Sequence, residues 1–86
     1  MPDETIRVTI YSRPGCHLCD DMKGVVLKVI ERRAAVSVDE VHISTDPALG
    51  SLYGLDIPVL AIDGRKAAKH RISEADFARL LDRPRR

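Results

Sequence analysis

The sequence predicts a single α/β domain in which a four-stranded mixed sheet carries helices on both of its faces. Near the start, a helical pattern of more than ten residues separates two β-type runs, which makes those strands a parallel pair. A two-residue hairpin signal, Asp63-Gly64, then joins two further strands as an antiparallel pair. A last helical pattern completes the order β-α-β-α-β-β-α, which a three-layer α/β/α arrangement accommodates.

The first half of the chain supplies the parallel pair. Ile6–Tyr11 alternates apolar and polar residues and is rich in β-branched side chains, which predicts a strand. The turn Ser12–Gly15 leads into a helix predicted from Cys16 to Arg33, because apolar residues recur there every three or four positions. The second strand is predicted at Glu40–Ser44, within the longer stretch from Val36.

A short helix is predicted between the second and third strands. Asp46-Pro47 fits the N-cap and the first position of this helix, which we expect to cover Ala48–Tyr53. Its buried face is predicted at Leu49 and Leu52. Gly54 then fits a left-handed helix stop.

The last third of the chain predicts a hairpin and a helix. Val59–Ile62 forms the third strand, and the polar run Arg65–His70 forms an edge strand. Ser73 opens the last helix as its cap. Asp82–Arg86 is expected to be a tail, of which residues 83–86 form a flexible basic end. The buried face of the last helix is predicted at Phe77, Leu80 and Leu81.

Composition excludes several classes of protein. The 86 residues are 44% hydrophobic and contain no linker, so residues 1–86 are interpreted as one domain. A net charge of +1 and only three aromatic residues give no sign of a nucleic-acid partner. No apolar run approaches the ~20 residues of a membrane span, and the N-terminus is too polar for a signal peptide. We therefore expect a cytoplasmic monomer that binds neither nucleic acid nor membrane.

The stretch Cys16-His17-Leu18-Cys19 contains the only two cysteines of the chain. The first sulfur lies where a strand ends and a helix begins, and the positive end of the helix dipole stabilises a thiolate there. The second sulfur lies one turn further on the same helical face, where it can attack a mixed disulfide formed on the first. This spacing predicts dithiol–disulfide exchange.

The segments Tyr11–Cys19 and Tyr53–Leu60, together with the order of elements, resemble the thioredoxin fold, and in particular the small glutaredoxin-like dithiol proteins. The resemblance extends from about Ile6 to Leu81 and implies a thiol–disulfide oxidoreductase. It implies that Cys16 is the attacking thiol and Cys19 the resolving one.

The resemblance also assigns the residues that would bind the substrate. It places Pro58 as a cis-proline facing the disulfide and gives the backbone of Ile57 the task of pairing with a bound peptide or thiol. Arg13 occupies a position where glutaredoxins often carry a basic residue near the thiolate. The pair His17-Leu18 departs from the usual Pro-Tyr, and His17 is given an auxiliary role on chemical grounds, because a cationic histidine near the thiolate favours the reduced form.

The chain departs from the glutaredoxin pattern where glutathione is usually held. Lys69–Glu74 contains no glycine in place of the usual Gly-Gly pair, and Asp56–Pro58 replaces the usual Thr-Val-Pro. We therefore expect no bound cofactor, with glutathione as a poor co-substrate. The expected partners are a disulfide-containing protein or a low-molecular-weight thiol, and a cellular reductant.

Cysteine pairs in small domains also serve three other functions. A copper-chaperone-like domain also has Cys-x-x-Cys between its first strand and first helix, but it usually has methionine where this chain has Pro14. A closed zinc site needs four ligands, and no second ligand pair accompanies the cysteines, so no metal ligand is assigned. A thioredoxin-like module that binds a partner without turnover is the remaining alternative.

Overall fold

The computed structural model describes residues 5–33 and 35–82. The chain forms four strands and three α-helices in the predicted order. Their bounds are β1 Ile6–Ser12, α1 His17–Ile30, β2 Val36–His42, α2 Pro47–Tyr53, β3 Val59–Ile62, β4 Arg65–Lys69 and α3 Glu74–Asp82. None of the helices within these described ranges is long and apolar enough to cross a bilayer.

The sheet is mixed, with the strand order β2-β1-β3-β4. Strand β1 pairs in parallel with β2 over its whole length, from Ile6 opposite Val36 to Ser12 opposite His42. Strand β3 runs antiparallel to β1, and β4 runs antiparallel to β3. The hairpin forms as predicted, since Asp63 and Gly64 both have positive φ, at 51° and 86°, which matches the twist of the two strands it joins.

The main core lies between one face of the sheet and helices α1 and α3. Val8 and Ile10 alternate along β1, and Met22 and Val26 are one helical turn apart on α1. Each such side chain contributes roughly 1.5–3 kcal/mol when fully buried. The buried members of this cluster are Val8, Ile10, Met22, Val26, Leu60, Phe77 and Leu81.

The opposite face of the sheet is covered by α2. Because side chains alternate along a strand, Tyr11 lies on the face opposite Ile10. Its ring stacks on that of Tyr53, with the ring centroids 4.5 Å apart. Since Tyr53 ends α2, this contact packs α2 on the second face and completes the three-layer α/β/α arrangement.

In the first half of the chain, the predicted end of helix α1 and both predicted ends of strand β2 are wrong. Helix α1 ends at Ile30, three residues before the predicted Arg33. Strand β2 covers Val36–His42 rather than the predicted Glu40–Ser44, because it pairs with all of β1. Residues Ile43–Thr45 instead form a 3₁₀ turn, which buries the Ile43 side chain.

Two predictions about α2 are also wrong. Leu52 is 66% exposed rather than buried, because α2 contacts the rest of the protein through Leu49 and Tyr53. Gly54 has helical φ and ψ rather than a left-handed conformation. A Cβ at this position would lie 2.5 Å from the carbonyl oxygen of Gly50, so glycine is needed here for close approach of the backbone.

The end of the chain differs from the prediction at two residues. His70 has φ of 69° and follows β4 instead of belonging to it. Asp82 belongs to α3 rather than to a tail, and its carboxylate accepts a hydrogen bond from Arg33 at 2.7 Å. Ser73 caps α3 as predicted, accepting the backbone N–H of Asp76 at 3.1 Å. The predicted tail, residues 83–86, lies outside the described residues.

Candidate active site

The two cysteines lie at the start of α1. Cys16 is the N-cap of this helix and has extended φ and ψ, while His17 is the first helical residue. The backbone N–H of Cys19 donates a hydrogen bond to Cys16 Sγ at 3.1 Å. The sulfur therefore caps the helix as a side-chain oxygen commonly does, and it lies at the N-terminal end, where negative charge is stabilised.

Cys16 and Cys19 are joined by a disulfide, with their Cα atoms 5.2 Å apart. The two residues differ in accessibility: Cys16 is half-buried, whereas Cys19 is 1% exposed. A substrate approaching from solvent therefore reaches the residue at the helix cap before it reaches the one a turn further on.

An apolar cluster surrounds the disulfide. Cys19 packs with buried Ile43 and Ile57, and the remaining members of the cluster lie around them. The half-buried members are Tyr11, Cys16, Leu49 and Tyr53. The sequence pointed to the two tyrosines only as parts of motifs, and it contained no sign of Ile43, which was predicted to continue a strand.

The loop that precedes β3 faces this cluster. The peptide bond between Ile57 and Pro58 is cis, and Pro58 is fully buried. The carbonyl of Pro58 accepts the backbone N–H of His70 at 2.8 Å. On the same side, Lys69 Nζ lies 3.6 Å from a carboxylate oxygen of Asp56. The loop is thus held by the end of β4.

The structure brings together some of the predicted site residues and not others. Cys16, Cys19 and Ile57 share one cluster, and Pro58 adjoins it in the chain. Arg13 and His17 are both exposed, and neither makes an ion pair with another residue in ranges 5–33 and 35–82. Arg13 and His17 are assigned to the site only because they lie close to Cys16 in the sequence.

A polar network that the sequence did not indicate lies beside the turn leading to Cys16. The hydroxyl of Ser12, which is fully buried, donates to Glu40 Oε2 at 2.9 Å. Lys23 Nζ donates to Glu40 Oε1 at 3.1 Å. The Ser12 hydrogen bond, followed by that of Lys23, lowers the pKa of Glu40 below its ordinary value. This carboxylate therefore links the end of β1 to α1 on either side of the cysteines.

The turn between β4 and α3 contains no glycine. Arg71 is exposed there and Ile72 is half-buried against the main core. For metal binding, no group of three or more histidine, cysteine, aspartate or glutamate side chains comes together within the part of the chain that the structure describes.

Comparison with known families identifies the domain. A sequence model described as "Glutaredoxin-like domain (DUF836)" matches residues 7–82. This protein belongs to the glutaredoxin-like family. A glutaredoxin-like protein from Dictyostelium discoideum, the homologue of YDR286C, is 26% identical over 76 residues, which cover 83% of this chain and 70% of the relative.

Solved structures support the same fold. The X-ray structure of protein XcR50 from X. campestris is 33% identical, has a TM-score of 0.68, and is matched over 90% of this chain and 99% of that one. Chloroplastic thioredoxin z is only 14% identical but has a TM-score of 0.73, over 91% of this chain and 76% of that one. The glutaredoxin-like domain therefore has the thioredoxin fold, and its cysteine pair indicates a redox role in general terms.

Proposed function

We propose that this glutaredoxin-like protein is a thiol–disulfide oxidoreductase that reduces protein disulfides or mixed disulfides through Cys16 and Cys19. One observation carries the proposal. The sulfur of half-buried Cys16 caps a helix and accepts a backbone N–H, while its disulfide partner Cys19 is buried in the apolar cluster behind it. An attacking thiolate has to be both stabilised and reachable, and the position of Cys16 meets both requirements.

The reaction takes place in two exchanges. In the reduced protein, the Cys16 thiolate attacks one sulfur of the substrate disulfide, which forms a mixed disulfide and releases the first substrate thiolate. Cys19 then loses its proton and attacks Cys16 Sγ, which releases the second substrate thiolate. The leaving thiolates take up protons, the substrate gains two electrons, and the protein is left with its disulfide. No bound cofactor is required, because the two sulfurs carry the electrons.

The residues around the disulfide are assigned supporting roles. The backbone of Ile57 pairs with an extended substrate, beside buried Pro58, and the apolar cluster keeps water from the mixed disulfide. Arg13 attracts an anionic substrate toward the half-buried Cys16 from the exposed turn before it. His17 stabilises the thiolate when its ring is protonated.

The substrate class is inferred from the turn before α3. Glycines allow the charged end of a small ligand to approach the backbone, because no Cβ stands in the way. Here the turn consists of Arg71, Ile72 and Ser73. The loss of one charge-assisted hydrogen bond costs about 1.5–3 kcal/mol, which weakens binding about tenfold to a hundredfold. We therefore propose a disulfide-containing protein as the substrate, in a cytoplasm that keeps the dithiol reduced.

The experiment compares two reductants. The protein and an excess of a peptide disulfide are supplied either with glutathione, glutathione reductase and NADPH, or with thioredoxin, thioredoxin reductase and NADPH, and NADPH oxidation is measured over time against the same mixtures without the protein. We expect faster turnover with the thioredoxin pathway. Faster turnover with glutathione than with thioredoxin would contradict the substrate assignment. No reduction of the peptide disulfide with either reductant would contradict the oxidoreductase function.

A further inference from the structure

The charge of this chain is distributed unevenly. Residues 65–71, which we call the basic edge, contain four lysine or arginine residues and no acidic residue. The whole chain has a net charge of +1, so the rest, with ten basic and thirteen acidic side chains, has a net charge of −3. A local excess of this size attracts a negatively charged partner to one side of the molecule.

Three cations of the basic edge make no ion pair with another described residue. Arg65, Lys66 and Arg71 are exposed and make no ion pair with another residue of ranges 5–33 and 35–82. By contrast, lysines elsewhere in these ranges do pair: Lys23 contacts Glu40 at 3.1 Å, and Lys28 contacts Glu74 at 3.6 Å. Among the described residues, the basic edge therefore places three unpaired cations within seven positions of the chain.

A groove of about 420 Å³ lies beside the basic edge, between β4 and α3. Its lining combines apolar side chains, which we call the floor, with the charged residues Arg71, Arg79 and Asp76. Arg79 lies 3.3 Å from Asp76, but both side chains are more than half exposed, so this pair is worth at most about 1 kcal/mol and can open for a ligand. The half-buried residues of the floor are Ala67, Ala68, Ile72 and Leu80.

The basic edge is continuous with the candidate active site. The N–H of His70 donates to the carbonyl of Pro58 at 2.8 Å, and Lys69 pairs with Asp56 at 3.6 Å. A chain that places its disulfide against Cys16 and lies across Ile57 can therefore continue along residues 65–71. The basic edge is thus within reach of the segment that flanks a bound disulfide.

We propose that the basic edge and the adjoining groove dock an acidic segment of the protein whose disulfide is exchanged. The carboxylates of the segment pair with Arg71 and Lys66, and its apolar side chains occupy the groove floor. The segment binds through side chains rather than as a fifth strand, because β4 is irregular opposite Leu60 and Ala61 and carries lysines, two features that prevent edge pairing. A nucleic acid is disfavoured, because residues 65–71 contain no aromatic side chain for stacking.

Docking of the segment does not itself require disulfide exchange. The inference rests on the proposed function only where it identifies the docked protein as the one whose disulfide is exchanged. The test therefore uses probes that contain no cysteine. Three fluorescein-labelled twelve-residue peptides are titrated with the oxidised protein, and fluorescence anisotropy is measured at low salt and in 0.5 M NaCl. One peptide alternates glutamate with leucine, one alternates lysine with leucine, and one alternates glutamate with serine. We expect the glutamate–leucine peptide to bind most tightly and to weaken in high salt.

Two double variants with the same net charge locate the site. Lys66→Glu with Arg71→Glu changes the basic edge, and Lys28→Glu with Arg32→Glu changes exposed residues near the end of α1. Both lower the net charge from +1 to −3. We expect the first variant to weaken binding of the glutamate–leucine peptide about tenfold, since two ion pairs become repulsive, and the control to weaken it less than threefold.

Several results would overturn the inference. One is that both variants weaken binding of the glutamate–leucine peptide equally, and another is that this peptide does not bind. The others are that the lysine–leucine peptide binds as tightly as the glutamate–leucine peptide, or that a twelve-nucleotide thymidine strand binds more tightly than it does. Equal binding of the glutamate–serine peptide would overturn the part assigned to the groove. Because no probe contains cysteine, this binding is measured separately from exchange. Peptide binding together with no turnover in the reductant assay would contradict the proposed function and leave the docking surface standing.

Discussion

The buried hydroxyl of Ser12 donates a hydrogen bond to the carboxylate of Glu40 at 2.9 Å, across the parallel pair of strands β1 and β2. The same carboxylate accepts a hydrogen bond from Lys23 on α1. Ser12 precedes the turn to Cys16, and Lys23 lies one helical turn beyond Cys19. The Glu40 carboxylate thus joins the end of β1 to α1, the two segments that flank the Cys16–Cys19 disulfide in the chain.

The first prediction concerns pH and stability. Hydrogen bonds from Ser12 and Lys23 lower the pKa of Glu40 below 4.5 in the folded protein. A lowered pKa contributes stability that is present above the ordinary value and is lost as the pH falls through the lowered one. We expect Ser12→Ala to reduce the free energy of unfolding by about 1–3 kcal/mol at pH 7, and by less at pH 2, because the contribution of the ionised carboxylate is lost as the pH falls.

Urea denaturation at the two pH values measures this difference. Ser37→Ala, at an exposed position of β2, serves as the control and should change stability little at either pH. A loss that is the same at pH 2 as at pH 7 would show that Ser12 acts through packing and not through the Glu40 carboxylate.

The second prediction concerns the stacked tyrosines that join α2 to the sheet. Tyr11 and Tyr53 have ring centroids 4.5 Å apart and an interplanar angle of 26°. Stacked aromatic pairs contribute about 0.5–1.5 kcal/mol beyond the area they bury. We expect a double-mutant cycle of Tyr11→Leu and Tyr53→Leu, measured by urea denaturation, to give a coupling energy in this range. Tyr53→Phe, which keeps the ring, is the matched control, and a coupling energy near zero would contradict the stacking.

The third prediction concerns His17, the first residue of α1. If its protonated ring stabilises the thiolate, His17→Ala makes the disulfide less oxidising. We expect the reduction potential to fall by about 10–30 mV at pH 6, where 30 mV corresponds to about 1.4 kcal/mol. Equilibration with glutathione buffers measures the potential, and an unchanged potential in His17→Ala would remove the role assigned to His17.

The sequence predicted the order of elements because each pattern was local. The alternation in Ile6–Tyr11, the helical spacing after Cys16 and the turn at Asp63-Gly64 each depend on neighbouring residues alone. Boundaries set by long-range pairing were predicted poorly. Strand β2 ends at His42 because it runs opposite β1 as far as Ser12, and no signal within its own sequence marks that end.

The candidate site was predictable where a motif names it and not where packing creates it. The Cys16–Cys19 pair and Ile57-Pro58 stand out in the sequence and meet in one region of the structure. Glu40 had no such signal, because it becomes a partner of Ser12 only through the strand register. The exposure of Leu52 was missed for a related reason, since helical spacing does not reveal which part of a short helix the sheet covers.

Trapping of a mixed disulfide tests the central claim most directly. Reduced Cys19→Ser and Cys16→Ser variants are mixed with the disulfide-linked dimer of an eight-residue peptide that contains one cysteine, and intact masses are measured. We predict that Cys19→Ser keeps one peptide bound to Cys16, because the resolving thiol is absent. The unsubstituted protein should release both peptides as thiols and end with its own disulfide, and Cys16→Ser should retain almost none. Peptide held by Cys16→Ser and not by Cys19→Ser would reverse the two roles, and no adduct on either variant would contradict disulfide exchange by this protein.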